Sequence, residues 1–302
     1  MKNEEQSRRE IERLTSELQR SQRELERYHT WAPPGDVLSP IHSIAEVKER
    51  EKEIYAIPRT MPGIELNETA QLELFNTLQQ FYPEQPFSAQ KSEGRRYWFE
   101  NPAYSYSDAI LLYCMIRYLR PRRIIEVGSG YSSAAMLDTD ELFFDRSIQF
   151  TFIEPQPQLL RSLLREEDLT RVAILETRVQ EVDLDRFSEL KANDILFVDS
   201  SHVSKVGSDV NHIFFKILPA LQSGVFVHFH DVFYPFEYPL EWVYEGRAWN
   251  ETYLMRAFLQ YNNQFEIQLF NTFIDWFHKE KYFHDMPLVQ KNTGGSIWLK
   301  KL

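Results

Sequence analysis

The sequence predicts an α/β protein, a mostly parallel sheet with helices on both faces, preceded by a helical extension at the N-terminus. Three observations carry this. Short apolar runs rich in β-branched and aromatic residues recur from about residue 120 onward, and helical segments separate the first five of them. The first run ends in a glycine turn, "EVGSGYSSAAM" (126–136), that opens into a small-residue helix. The first 30 residues differ from the rest, being polar and rich in Glu, Arg, Gln and Ser, with apolar positions at three-to-four spacing.

The bulk composition limits the function. A chain of 302 residues suits one large α/β domain with an extension, or two small domains. With 43% hydrophobic residues and 22 Phe and 15 Tyr, it has ample material for a core. The net charge of -11 opposes binding to duplex nucleic acid, which needs a basic face, and the clusters Arg95-Arg96 and Arg120 to Arg123 are too short to reverse this. A single cysteine, Cys114, excludes an intramolecular disulfide and reads as a small buried hydrophobe in a reducing compartment. The N-terminus is charged from its first residues, and no run of about 18 apolar residues occurs. The expectation is a cytoplasmic protein with neither a membrane nor a nucleic acid as partner.

Taken in order, residues 1–30 form an N-terminal helix. Ile11, Leu14, Leu18, Leu25 and Tyr28 make a seam of under three heptads, either a short coiled coil that pairs subunits in a homo-oligomer or a solvated helix. Pro33, Pro34 and Gly35 stop it. Residues 31–100 read as a helical cap or linker region with two helix-like pieces, 44–57 and 68–82, and no chemistry motif. Residues 101–302 form the main domain. "SDAILLYCMIRYLRP" reads as a buried helix, and strands are expected at 123–128, 150–155, 172–177, 194–200 and 225–231. Two more, at 265–271 and 295–300, suit an antiparallel edge hairpin; the stretch 273–286 between them, with His278 and His284, reads as a loop.

Open parallel sheets bind ligands beyond the carboxyl ends of their strands, and the glycine turn lies at that end of the first strand. Gly128 and Gly130 allow a close backbone approach. A dinucleotide turn would carry a third glycine where Ser133 stands. Glu126 ends the first strand, and Glu154 ends the second, where a carboxylate accepts two ribose hydroxyls. This E-x-G-x-G with an acid after the second strand resembles the class I S-adenosylmethionine (SAM)-dependent methyltransferases. "ILFVDSSH" and "VFVHFHDV" resemble the fourth and fifth strands of a subgroup with I-D-G-D-H and H-D at those places. The resemblance covers about residues 100 to 302. It implies a Rossmann-like seven-stranded sheet and SAM as cofactor. It also implies that Gly128, Gly130 and Glu126 serve the amino-acid part of SAM, Glu154 its ribose and Gln180 its adenine, and that Asp199 lies beneath the methyl-transfer centre. A bulky side chain at 128 is then expected to exclude the cofactor and spare the fold. The chain departs from the pattern at Ser200 and Ser201, which removes one carboxylate, and at Gln222-Ser223-Gly224.

Methyl transfer to a hydroxyl needs an aligned nucleophile and a proton acceptor or a metal. Asp199, His202 and His230 are the catalytic candidates, with a neutral histidine suited to act as base near pH 7. Asp199, His230 and Asp231 are the candidates for a divalent metal, although Asp231 also suits a turn cap. His228, deeper in the same strand, reads as a hydrogen-bonded core residue. The aromatic stretch after it should roof an acceptor pocket, with Tyr234, Glu237, Tyr238, Trp242, Arg247, Trp249 and Asn250 within reach. The resulting expectation is an O-methyltransferase acting on a hydroxyl of a sugar or secondary metabolite. A metal-dependent hydroxylase or hydrolase on the same fold and a non-catalytic SAM-binding scaffold are the alternatives.

Overall fold

The computed structural model describes residues 10, 11, 13–21 and 31–302. These fall into two compact units, Met1–Ile54 and Tyr55–Leu302. In the first, residues 10, 11 and 13–21 are helical and α1 spans Ile44–Ile54. Ile11, Leu14 and Leu18 are exposed there; Leu25 and Tyr28 lie outside the described residues.

The second unit is built on seven strands, β1 (Arg123–Val127), β2 (Gln149–Ile153), β3 (Ala173–Leu175), β4 (Ile195–Val198), β5 (Phe226–His230), β6 (Phe265–Phe270) and β7 (Ser296–Lys301). All seven lie where the apolar runs place them. Their spatial order is β3-β2-β1-β4-β5-β7-β6. The first five pair in parallel, and β7 inserts antiparallel between β5 and β6. β4 and β5 are buried throughout, as unbroken apolar runs demand of strands covered on both faces, whereas β6 at the edge alternates. The chain runs outward from β1 to β3, then returns to β4 on the other side of β1. The strand order therefore reverses between β1 and β4 and opens a crevice at their carboxyl ends.

Residues 55–100, separate in the sequence pattern, share one core with the sheet. Phe75 and Leu78 of α2 (Glu68–Leu78), with Phe87, Tyr97 and Phe99, are buried in the same cluster as α3 (Ser107–Leu119). The physical reason is an ion network invisible in the local pattern. Arg96 is 2% exposed. Its guanidinium donates to Asp138 at 2.8 Å, to both oxygens of Asp168 at 2.7 Å, and to Glu141 at 3.0 Å. A guanidinium so buried is tolerated only when its fork is filled. This clasp ties the 94–101 loop to α4 (Tyr131–Phe143), the helix after the glycine turn.

α3 ends where Arg120 adopts a left-handed conformation (φ 51°) and Pro121 cannot continue the helix. Cys114 is buried within it, as expected. One expectation fails here. The stretch expected as a loop at 273–286 is helical, α7 (Asn271–Asp285), with a local break at His278. Phe273, Ile274 and Tyr282 sit on its buried side, and this apolar spacing outweighs the polar residues between them. Among the described residues, no helix is long and apolar enough to cross a membrane.

Candidate active site

Two cavities meet at the crevice. The smaller, about 530 Å³, is walled by the glycine turn, the end of β2, Gln180 and the 199–209 loop. Gly128, at φ 82°, is set there by the fold itself. A Cβ on it would come within 1.7 Å of the Asp199 carbonyl oxygen. An arginine at 128 would thus break the β1–β4 junction, and the expectation that it spares the fold is corrected. Gly130 is freer, since its Cβ would meet only the Leu159 side chain at 3.1 Å.

Glu126 is fully buried and does not line this cavity. Its two carboxylate oxygens accept the hydroxyls of Ser132 and Ser133, and the Ser133 oxygen accepts the Gly130 N–H at 3.0 Å. Burial pushes the Glu126 carboxyl up to about 8, against the pull of the two serines. The serine that stands where a dinucleotide turn has glycine therefore holds the turn in shape, and Glu126 acts through it. Glu154 does line the cavity; it accepts the N–H of Gln156 at 2.8 Å and of Ser129 at 3.3 Å. A carboxylate offers about four acceptor sites, so lone pairs remain for a diol. Gln180 donates to the Gly207 carbonyl at 2.8 Å and ties the far loop across the cavity mouth.

Beyond β4 and β5 lies a compact acid–histidine cluster. Asp199 Oδ1 is 3.4 Å from His202 Nε2 and 3.3 Å from His230 Nδ1. His202 Nδ1 pairs with the buried Glu251 of α6 (Glu251–Leu259) at 2.9 Å. His230 Nε2 is 3.5 Å from Asp108, the second residue of α3, and Asp231 stands 3.6 Å from His202 and 3.7 Å from His230. Burial alone would lower both histidines. The hydrogen bonds from His202 to Asp199 and Glu251 override it and hold His202 up at about 10. Asp231 and Asp199 do the same for His230, which lies well above its usual value. Burial would raise Asp199, but the two imidazoliums hold it well below the carboxylate range; Asp231 is pushed upward by burial. Both shifts favour the charged imidazolium, whereas the sequence suggests a neutral histidine base.

Asp199, His230 and Asp231 are brought together as the sequence proposes, with one donor atom of each within 4.8 Å of the others. Asp231 does not continue the strand; it turns out of it in a left-handed conformation (φ 55°). His228 parts from them. It is buried and held neutral by burial, stacks on Phe197 at 4.2 Å and packs against Trp298 at 4.7 Å. Neither ring nitrogen has a hydrogen-bond partner, so it is a core residue but not a hydrogen-bonded one.

The larger cavity, about 890 Å³, opens on the other side of His230 and Asp231. Tyr234, Glu237, Tyr238, Trp242, Arg247 and Trp249 all line it, as the aromatic stretch predicts. Asn250 does not. Its side chain accepts the Ser204 N–H at 2.5 Å and donates to the Ser204 carbonyl at 3.2 Å, anchoring the loop after His202. Sequence reasoning missed Asp108, Glu251, and the wall from Tyr55, Ile57 and Asn101. The signal for Asp108 was a carboxylate in the first turn of an otherwise apolar helix; Gly294 passes so close that a Cβ would lie 2.4 Å from its oxygen.

A family described as "methyltransferase domain" matches residues 125–232. A protein of Archaeoglobus fulgidus, described as uncharacterized, is 33% identical over 172 residues, which is 54% of this chain and 75% of that protein. Among solved structures, the O-methyltransferase TomG of Streptomyces achromogenes in complex with SAM is 16% identical. It aligns over 85% of this chain and 96% of its own, with a TM-score of 0.43. The O-methyltransferase of Bacillus cereus in complex with S-adenosylhomocysteine (SAH) is 12% identical over 85% and 97%, with a TM-score of 0.41.

Proposed function

We propose that the chain, whose residues 125–232 match a methyltransferase-domain family, is a class I SAM-dependent methyltransferase that methylates a hydroxyl oxygen of a small glycosyl or secondary-metabolite acceptor. One observation carries this reading. Asp199 lines the smaller cavity, and its carboxylate contacts His230, which lines the larger one. A cluster able to handle a proton stands where two ligand cavities meet.

The smaller cavity suits SAM in size and donors, with the Gly128 backbone at the turn and Glu154 free to accept hydroxyls. SAM brings an already activated methyl group. What the chain supplies is alignment and a proton acceptor. Asp231, on the acceptor side and raised by burial, is a stronger base than Asp199. In this reading an acceptor hydroxyl donates to Asp231, and the charged His230 and His202, fixed by Asp199, Asp108 and Glu251, stabilise the carboxylates around it. The experiment is calorimetric titration with SAH, followed by a methyl-transfer screen with hydroxylated acceptors. Asp199→Ala should keep SAH affinity within about tenfold and lose at least about 100-fold in turnover. An active variant removes Asp199 from the mechanism, and SAH binding without turnover on any acceptor favours a scaffold role.

A second reading rests on the donor set of Asp199, His230 and Asp231. One nitrogen and two carboxylate oxygens fit a divalent transition metal better than magnesium. Such an ion would acidify the acceptor hydroxyl. Loss of turnover on chelation, restored by manganese or zinc, supports this reading; turnover indifferent to chelator removes it.

A further inference from the structure

The larger cavity contains an arrangement that goes further than a generic hydroxyl site. Phe233, Trp242, Trp249 and Tyr238 form a closed circuit of edge-to-face contacts. Centroid distances around it are 5.5 Å, 5.5 Å, 5.8 Å and 6.5 Å, with interplanar angles of 89°, 78°, 76° and 66°. All four rings line the cavity. Rings set at right angles pack the edge of one against the face of the next, and the faces of Trp242 and Trp249 stay within reach of a cation. A cation already lies there. The Arg247 guanidinium sits 4.5 Å from the Trp242 centroid and 5.3 Å from that of Trp249, tethered to Glu245 at 3.0 Å.

The rest of the cavity has the same preference. Asp108, Asp231, Glu237 and Asp275 line it, and Arg247 is the single lysine or arginine among the lining residues. Burial pushes the Glu237 and Asp275 carboxyls upward, and Arg256 and Lys279, outside the lining, pull them part of the way back. An anionic acceptor would meet four acids against the two basic groups His230 and Arg247. A neutral one would leave the aromatic box to Arg247.

We propose that the acceptor carries a cationic amino group, held against Trp242 and Trp249, which Phe233 and Tyr238 brace into a box, in the place that Arg247 occupies. The substrate class is then an amino-bearing polyol or a hydroxylated alkaloid-like amine. Its ammonium group is seated in the box, and its hydroxyl reaches toward Asp231. Arg247 acts as an internal stand-in that yields on binding. This inference rests on reading the larger cavity as the acceptor side of a methyltransferase.

The test uses two probes of equal shape, choline and its neutral carbon isostere 3,3-dimethylbutan-1-ol. Each is titrated into the full chain at matched ionic strength, with and without SAH, and followed by tryptophan fluorescence and calorimetry. Choline should bind about tenfold more tightly than the isostere. Trp242→Ala should erase that preference, and Arg247→Ala, which removes the internal competitor, should tighten choline severalfold. Equal affinity for the two probes, no binding of either, or weaker choline binding in Arg247→Ala overturns the proposal. The SAH titration on the same sample separates the two readings. SAH binding without a preference for choline sinks the cation box alone, whereas failure to bind SAH sinks the methyltransferase reading itself.

Discussion

The two cavities are built in opposite ways. The smaller takes its walls from the ends of β1, β2 and β4 and the turns that follow, all within residues 127–209, and backbone groups do much of the shaping. The larger gathers side chains from residues 55–57, 101–108, 230–249, 272–276 and 292–295. One site is a consequence of sheet topology. The other is a tertiary assembly that exists only after the chain has folded. Mutations should therefore act differently on the two sides: backbone-level changes should damage the first site and the fold together, whereas the second should tolerate change in any one wall.

The sharpest contrast lies between the two glycines of the turn. Gly128→Ala places a methyl group 1.7 Å from the Asp199 carbonyl at a left-handed φ, so the β1–β4 junction must open. The expected loss is more than about 3 kcal/mol of stability, with SAH affinity falling in parallel. Gly130→Ala meets only a movable Leu159 methyl on extended backbone and should cost under about 1 kcal/mol. Thermal melts with SAH titrations check the pair. Equal losses at both positions would mean that ligand approach, not the Asp199 backbone, dictates Gly128.

This contrast also explains what could be read from the sequence. The seven strands follow from apolar runs, and Gly128, Glu154 and Asp199 follow from position at strand ends. That logic is local, so it reaches the smaller cavity almost completely. It fails for Glu126, whose partners Ser132 and Ser133 are visible only once the helix places them over the strand end. It fails for Glu251 and Asp108, 49 and 122 residues from the histidines they contact, because nothing local marks which of 45 acids will be buried beside an imidazole. Arg96 reads in the sequence only as part of a short basic cluster, and it is a filled, buried fork.

Glu126 offers a subtler test of the smaller side. Its carboxyl is raised by burial from about 4.5 to about 8. Between those values the folded chain keeps a proton that the unfolded chain has released, so stability falls as pH rises through this window. His202, raised from 6.5 to about 10, adds a fall of the same sign that begins above 6.5. The interval from pH 4.5 to 6.5 is free of the His202 contribution; the other buried acids and His228 also titrate across it, so Glu126 is read from the difference between parent and variant. Glu126→Gln, which mimics the protonated acid, should flatten the slope there by up to one proton, about 1.4 kcal/mol per pH unit. Denaturant melts of both chains across that interval measure it. Parallel pH profiles would place the Glu126 proton elsewhere.

The smallest effect is expected deep in β5, where the two kinds of wall touch back to back. His228 and His230 share a strand face, two residues apart. His230 has carboxylates at 3.3, 3.5 and 3.7 Å, whereas His228 has flat rings and no partner for either nitrogen. A buried polar atom without a partner costs about 1–3 kcal/mol, so an apolar ring of similar shape relieves that cost while adding slight bulk against Phe197 and Trp298. His228→Phe should leave stability within about 1 kcal/mol of the parent or raise it, with SAH affinity and turnover unchanged. His230→Phe should strip the cluster of its central cation and abolish turnover. A melting temperature far below the parent in His228→Phe would show that this imidazole is engaged after all, and the division of one strand into a core histidine and a working histidine would fall.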